Sequence, residues 1–200
     1  MDRETCEMPT VERRWPQGGF SMMEMLIVIA IVAILLALGV PSFKYVTQSN
    51  RSTSEINGML GSLQLARAEA IKEGQTVSVC PSPDGLQCSL GATDWEGGWI
   101  IFSDGLPTIG TVDGADFVVR VQKAFTSADT LTSTNNVSVI TFSREGFAMN
   151  LGTPVTFTLH NPPGPALPNP AFTRCLSLTI VGALSTQIFG DPTPGLLPCS

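Results

Sequence analysis

Nucleophilic or metal-assisted catalysis needs histidines, thiols or carboxylates that converge, and this 200-residue chain is thinly supplied with them. It has one histidine, His160, at the start of the stretch "HNPPGPALPNP" (residues 160–170). A Ser–His–Asp triad or a histidine-based zinc site needs more than that. His160 therefore reads as a surface residue, and the proline-dense stretch as an extended surface excursion. Asp104, Asp113 and Asp116 fall in a glycine-rich segment and offer the hard oxygens that calcium takes. The D-x-D-x-D-G spacing is absent, so they read as solvated loop acids. Asp84-Gly85 is a turn signal, and Trp95 and Trp99 read as core anchors. With no phosphate-cradling glycine motif either, the expectation is a protein that is not an enzyme and holds no cofactor and no metal.

Thiols come next. Cys6 precedes a long apolar run, whereas Cys80, Cys88, Cys175 and Cys199 follow it. One before and four after suggests a membrane between them, with an even set in an oxidising compartment. The separation of Cys80 from Cys88 does not fit a short zinc knuckle. Pairs Cys80–Cys88 and Cys175–Cys199 are expected because each closes a loop containing proline or glycine. Other connectivities, and free buried thiols, stay open at this stage.

The apolar run itself contains an acid. Met25–Val40 is sixteen residues with no polar side chain, and counting back to Phe20 gives twenty-one, about the length that crosses a bilayer core. Glu24 lies inside that count, although a charge in hydrocarbon costs on the order of 2.5–3.5 kcal/mol by insertion scales. A secretory signal has its small-residue cleavage site after the apolar stretch. Here the plausible cut, at Gly18-Gly19, comes before it, so the apolar segment is retained. Arg13 and Arg14 flank its N-terminal side, which puts the leader in the cytoplasm and the bulk of the chain outside.

Gly19-Phe20-Ser21-Met22-Met23-Glu24, followed by the apolar run and Pro41, resembles the class III leader of type IV pilins and pseudopilins. The resemblance implies cleavage between Gly19 and Phe20 by a prepilin peptidase and N-methylation of Phe20. The new amine then lies one helical turn from Glu24, so the acid can pair with it in its own chain or in a neighbouring subunit. That makes Glu24 an assembly residue.

Further along, Ile56, Met59, Leu60, Leu63, Arg67, Ala70 and Ile71 recur at spacings of three and four, an amphipathic helical stripe with Arg67 its one polar member. Gly74 suits the end of that helix. Pro41 is expected to bend or break the helix without ending it. Strands are expected at 76–80, 99–103, 117–122, 137–142, 155–159, 174–181 and 183–189, where β-branched and aromatic residues alternate with turn residues. "VSVITFS" and "VTFTLH" have the alternation of half-buried strands. The expected fold class is α+β: a long N-terminal helix, transmembrane half plus amphipathic half, packed on antiparallel sheet. The order "VSVCPSPDGLQC", "WEGGWIIFSDG", "ITFSREGFAMN" resembles the soluble domain of GspH/FimT-like minor pilins and pseudopilins. The implied organisation is a leader (1–19), a transmembrane and filament-core helix (20–41), an amphipathic helix (42–75) and a β-rich domain (76–200).

Charge separates the possible roles. Beyond residue 19 the chain has eight basic and thirteen acidic side chains, a net of −5. Some members of this family are DNA receptors and use two arginines in a C-terminal G-R-x-R element. The matching positions here are Gly182-Ala183-Leu184-Ser185, and Arg174 is the only basic residue after Arg144. Phosphate neutralisation drives such binding, so DNA reception is disfavoured. The resemblance instead implies a minor subunit of a type IV pilus or a type II secretion pseudopilus, in a tip or priming complex. Its partners would be a prepilin peptidase, other pilins or pseudopilins, and the bacterial inner membrane, with the C-terminal domain periplasmic.

Overall fold

The structure, a computed structural model, describes residues 19–105, 108–114, 116–161, 170–190 and 199. Most of the leader, Cys6 and most of the proline-dense stretch (162–169) lie outside these residues. The chain divides into two compact units between Lys44 and Tyr45. One helix, α1 (Met22–Glu73), contributes to both, and position 41 is helical within it. Gly74 follows at φ +68, its amide donating to the Ala70 carbonyl at 3.0 Å, a left-handed helix end that glycine adopts without steric cost.

In the first unit the side chains around α1 from Met22 to Val40 are exposed, and the most apolar window has a mean hydropathy of 2.8 with none of it covered by protein. A helix that is apolar all round and uncovered is built for a non-aqueous or protein-packed surrounding.

Among the described residues the second unit holds eight strands: β1 (Val77–Pro81), β2 (Gly98–Ser103), β3 (Val118–Lys123), β4 (Thr130–Ser133), β5 (Ile140–Phe142), β6 (Val155–His160), β7 (Arg174–Leu178) and β8 (Leu184–Ile188). They form two antiparallel four-stranded sheets, in the orders β3-β2-β1-β5 and β4-β6-β7-β8. One stripe of α1 (Ile56, Met59, Leu63, Ala66 and Ala70) joins Val77, Val79, Trp99 and Ile101 of the first sheet in a single core. Leu131, Phe157, Leu159 and Leu176 of the second sheet complete it. Trp95 lies edge-on to Phe157 with ring centroids 5.2 Å apart, and its indole N–H donates to the Val137 carbonyl. The α+β class stands, with the sheet resolved into two.

Three details differ from the expectation. Short β4, "TLTS", was not anticipated: it has one large apolar side chain, Leu131, and gains strand geometry from pairing with β6. The strand anticipated at 137–142 is only Ile140–Phe142 and fully buried. In β6 the polar alternates Thr156 and Thr158 are buried as well, because Thr156 meets Ser177 of β7 hydroxyl to hydroxyl at 3.0 Å across the register.

The stripe also ends sooner than its periodicity suggests, since Leu63 is wholly buried while Ile71 is 52% exposed. Leu63→Ala is expected to cost about 2–5 kcal/mol, and Ile71→Ala no more than about 1 kcal/mol. Urea unfolding of the detergent-solubilised chain, followed by tryptophan fluorescence, checks the contrast.

Candidate functional site

The residues singled out at the N-terminal end sit at the start of α1. The Met25 amide closes the first helical bond on the Ser21 carbonyl at 3.1 Å, so Ser21 is the N-cap and Glu24 lies in the first turn. A carboxylate there faces the unpaired amides and positive end of the helix dipole, which favours it by about 0.3–1 kcal/mol at an exposed site. Ser21-Met22-Met23-Glu24 also has the spacing of a capping box, a local signal the sequence reading passed over. Glu24 is exposed, and among the described residues no cation of the chain meets it. Phe20 is 81% exposed, and nothing lies within 4 Å of where a Cβ on Gly19 would be. The geometry is that of an accessible backbone followed by an apolar helix carrying one unpaired acid.

The cysteines of the domain are bridged Cys80–Cys88 and Cys175–Cys199, with Cα separations of 5.5 and 5.6 Å. Inside the first loop, Asp84 accepts the Leu86 and Gln87 amides and the Ser82 hydroxyl, and those bonds hold its carboxyl below the usual range. Two of the acids weighed as calcium ligands, Asp104 and Asp116, hold nearby backbone and a strand hydroxyl, although Asp104 Oδ1 has no hydrogen-bond partner among the described residues. Buried Asp104 accepts from the Ser78 hydroxyl and the Gly110 amide, and Asp116 accepts from the Gly105 and Asp113 amides. Burial pushes the Asp104 carboxyl upward. Among the described residues, no cluster of three or more His, Cys, Asp or Glu is placed to hold a metal ion. His160 is half-buried rather than a surface residue; burial lowers its pKa, and its Nδ1 has no hydrogen-bond partner among the described residues. These groups come from different loops and do not converge on a common point.

Comparison with known proteins agrees with this arrangement. A prokaryotic N-terminal methylation motif matches residues 16–40. The family described as type II transport protein GspH matches residues 55–182, more than half of the chain. This chain belongs to the GspH family.

A fimbrial protein of Pseudomonas aeruginosa is 33% identical to this GspH-family chain over 81 residues, 39% of this chain and 50% of that protein. The chain thus spans about half the length of the curated relatives it matches. A crystal structure of the type IV minor pilin FimU from the same organism aligns with a TM-score of 0.50 at 21% identity. It covers 79% of this chain and 99% of that one, a likeness of fold.

Within the GspH-family domain two arginines of α1 do work that periodicity did not disclose. Arg67, the polar interruption of the stripe, donates from Nε to the Gly146 carbonyl and from Nη1 to the Gly182 carbonyl, both at 3.0 Å. It ties together two turns 36 residues apart (146 and 182). Both glycines have positive φ (+85 and +78), and a Cβ on Gly182 would come within 2.3 Å of the Gly146 oxygen. The second arginine, Arg51, grips buried Asp129 with two bonds of 2.8 and 2.9 Å. A polar residue on an otherwise apolar stripe was the available signal for Arg67; Arg51 had none, since its partner is 78 residues away.

Removing Arg67 leaves two carbonyls without their donors. Charged hydrogen bonds contribute about 1.5–3 kcal/mol each, so Arg67→Met is expected to destabilise the domain by about 2–4 kcal/mol. Arg67→Lys should recover little of that, because an ammonium lacks the planar fork that spans both oxygens. Chemical denaturation of the three proteins side by side gives the comparison.

Proposed function

We propose that this chain is a minor pilin or pseudopilin, a structural subunit of a type IV pilus or a type II secretion pseudopilus, placed in a tip or priming complex. The observation that carries the reading is the exposed apolar start of α1 with unpaired Glu24 in its first turn, directly after Gly19-Phe20. In this reading a prepilin peptidase removes residues 1–19 at the inner membrane and Phe20 is methylated. Residues 20–41 hold the subunit in the bilayer and later pack in the filament core, where Pro41, lacking an amide to donate, gives the helix a point of bending. Residues 42–75 and the β-rich 76–200 form the periplasmic domain, which contacts other pilins or pseudopilins.

Glu24 then meets the α-amine of Phe20, in its own chain or in the next subunit. Taking that partner away leaves a carboxylate unpaired in an apolar surrounding, a change worth about 3–5 kcal/mol for buried pairs. The role is mechanical, and the domain's chemistry agrees with it: Arg51, Arg67 and Asp116 spend their hydrogen bonds tying segments of the domain together.

Nothing among the described residues favours DNA reception. Arg67, the one guanidinium at the Gly182 turn, is committed to carbonyls. Arg174 donates to the Ala171 and Thr173 carbonyls and to the Ser49 hydroxyl. Too few cations remain for the phosphate neutralisation that such binding needs.

Mass spectrometry of the protein recovered from assembled filaments is expected to find methylated Phe20 as its first residue. Glu24→Ala should reduce incorporation at least tenfold while precursor levels in the membrane hold. An intact leader in filament material, or normal incorporation of the variant, would overturn the reading.

A further inference from the structure

Beside the Arg51–Asp129 bridge is a second carboxylate that the bridge does not require. Asp129 already has donors on both oxygens: Arg51 donates to each, and the Asn161 side-chain amide donates to Oδ1 at 2.8 Å, which leaves acceptor capacity on Oδ2. Glu55, one helical turn along α1 from Arg51, accepts the Ser127 hydroxyl on Oε1 at 2.9 Å. Its other oxygen, Oε2, is buried and no donor among the described residues reaches it. The Glu55 carboxyl lies beside Asp129, since the Ser127 hydroxyl that donates to Glu55 also accepts the Asp129 amide. Two carboxylates thus share a site that one guanidinium serves, and the shortage is of a proton.

The geometry points to a shared proton: Glu55 is protonated on Oε2 and donates to Asp129, closing a clasp between α1 and the connection from β3 to β4. Both Ser127 and Asp129 sit on that connection, and the Asp129 amide donates to the Ser127 hydroxyl at 3.4 Å. Each member then has a partner, from Arg51 through Asp129 and Glu55 to Ser127. Ionising Glu55 removes the one donor between the carboxylates and places like charges in contact, which disfavours the charged form. The clasp is therefore closed by acid and loosened toward neutral pH. This inference does not depend on the proposed role in a filament.

Burial first, and then Asp129, push the Glu55 carboxyl up to about 7 from an ordinary 4.5, against smaller opposing pulls from the Ser127 hydroxyl and then Arg51. A group with a raised folded pKa contributes its hold fully below the unfolded value, and that contribution is lost as pH climbs through the folded one. The window is about pH 4.5–7. Arg51 on α1 and Asp129 on the facing connection are the charged groups against Glu55. At the adjoining strand β4, Glu96 accepts the Leu131 amide and His160 stands opposite Thr130. His160 has a lowered pKa, so its own effect has the opposite sign, growing as pH falls. Asp104, raised like Glu55, belongs to the loop after β2 and not to this connection. A local readout therefore separates Glu55 from Asp104, and the opposite direction of its pH effect separates it from His160.

The test is hydrogen exchange by mass spectrometry on the full chain in detergent from pH 5 to 8, with each rate divided by the intrinsic rate at that pH. Opening of residues 126–130 is expected to rise about tenfold over this range, most of it below pH 7; the ideal tenfold per pH unit is reduced by partial exposure. Glu55→Gln, whose amide donates permanently, should keep the segment protected and its exchange flat with pH. Asn at 129 (Asp129→Asn) should open the segment at every pH. As a second measurement on the unmutated chain, the 13C resonance of the Glu55 carboxyl should titrate near pH 7. Matching pH profiles for wild type and Glu55→Gln, protection that improves as pH rises, or a Glu55 midpoint near 4.5 would each overturn the proposal.

Discussion

The domain depends on one strip of helix being wanted by two sheets at once. Each four-stranded sheet has an apolar face that must be covered, and the same α1 residues, Ile56, Met59, Leu63, Ala66 and Ala70, lie in the core that both supply. The contacts are small or unbranched at the helix (Ala66, Ala70, Met59) and large at the sheets (Trp95, Trp99, Phe142, Phe157), which lets two curved surfaces approach a single rod. The sheets meet through the core instead of merging: the strand orders keep β1, β2, β3 and β5 apart from β4, β6, β7 and β8.

Around that strip, polar groups act as ties rather than as chemistry. Arg51 and Arg67 reach from α1 to segments far away in sequence, one to a buried carboxylate and one to two turn carbonyls. Arginine suits both tasks because its donors are fixed in a plane and it stays charged. Asp84, Asp104 and Asp116 similarly organise loops by accepting from nearby amides and hydroxyls.

Much of this was readable from residue order. Apolar content without a stripe before residue 41, and with a stripe after it, distinguished the two halves of α1. Punctuation by glycine, proline and asparagine located seven of the eight strands to within a few residues. What escaped had a common cause, namely partners distant along the chain. Pairing between β4 and β6, burial of Thr156 against Ser177, and the division into two sheets are all decided by neighbours that no local window contains. Arg67 stood out as an anomaly in its stripe, but its role required knowing that Gly146 and Gly182 come together. Ile71 fits the helical period yet is half exposed beside fully buried Ala70, since periodicity gives a direction around a helix and not how far its partners extend around it.

The internal use of cations has an effect on how copies of this chain meet. Five of its eight basic side chains beyond residue 19 (Arg51, Arg67, Lys72, Arg144 and Arg174) already contact acids, carbonyls or hydroxyls of their own chain. Pairing leaves the net charge beyond residue 19 at −5, and that charge acts outward. Identical domains brought side by side repel at distances up to the Debye length, about 8 Å at physiological ionic strength. Self-repulsion of this kind favours a sparse subunit, seated among neighbours of different charge, over a repeating one.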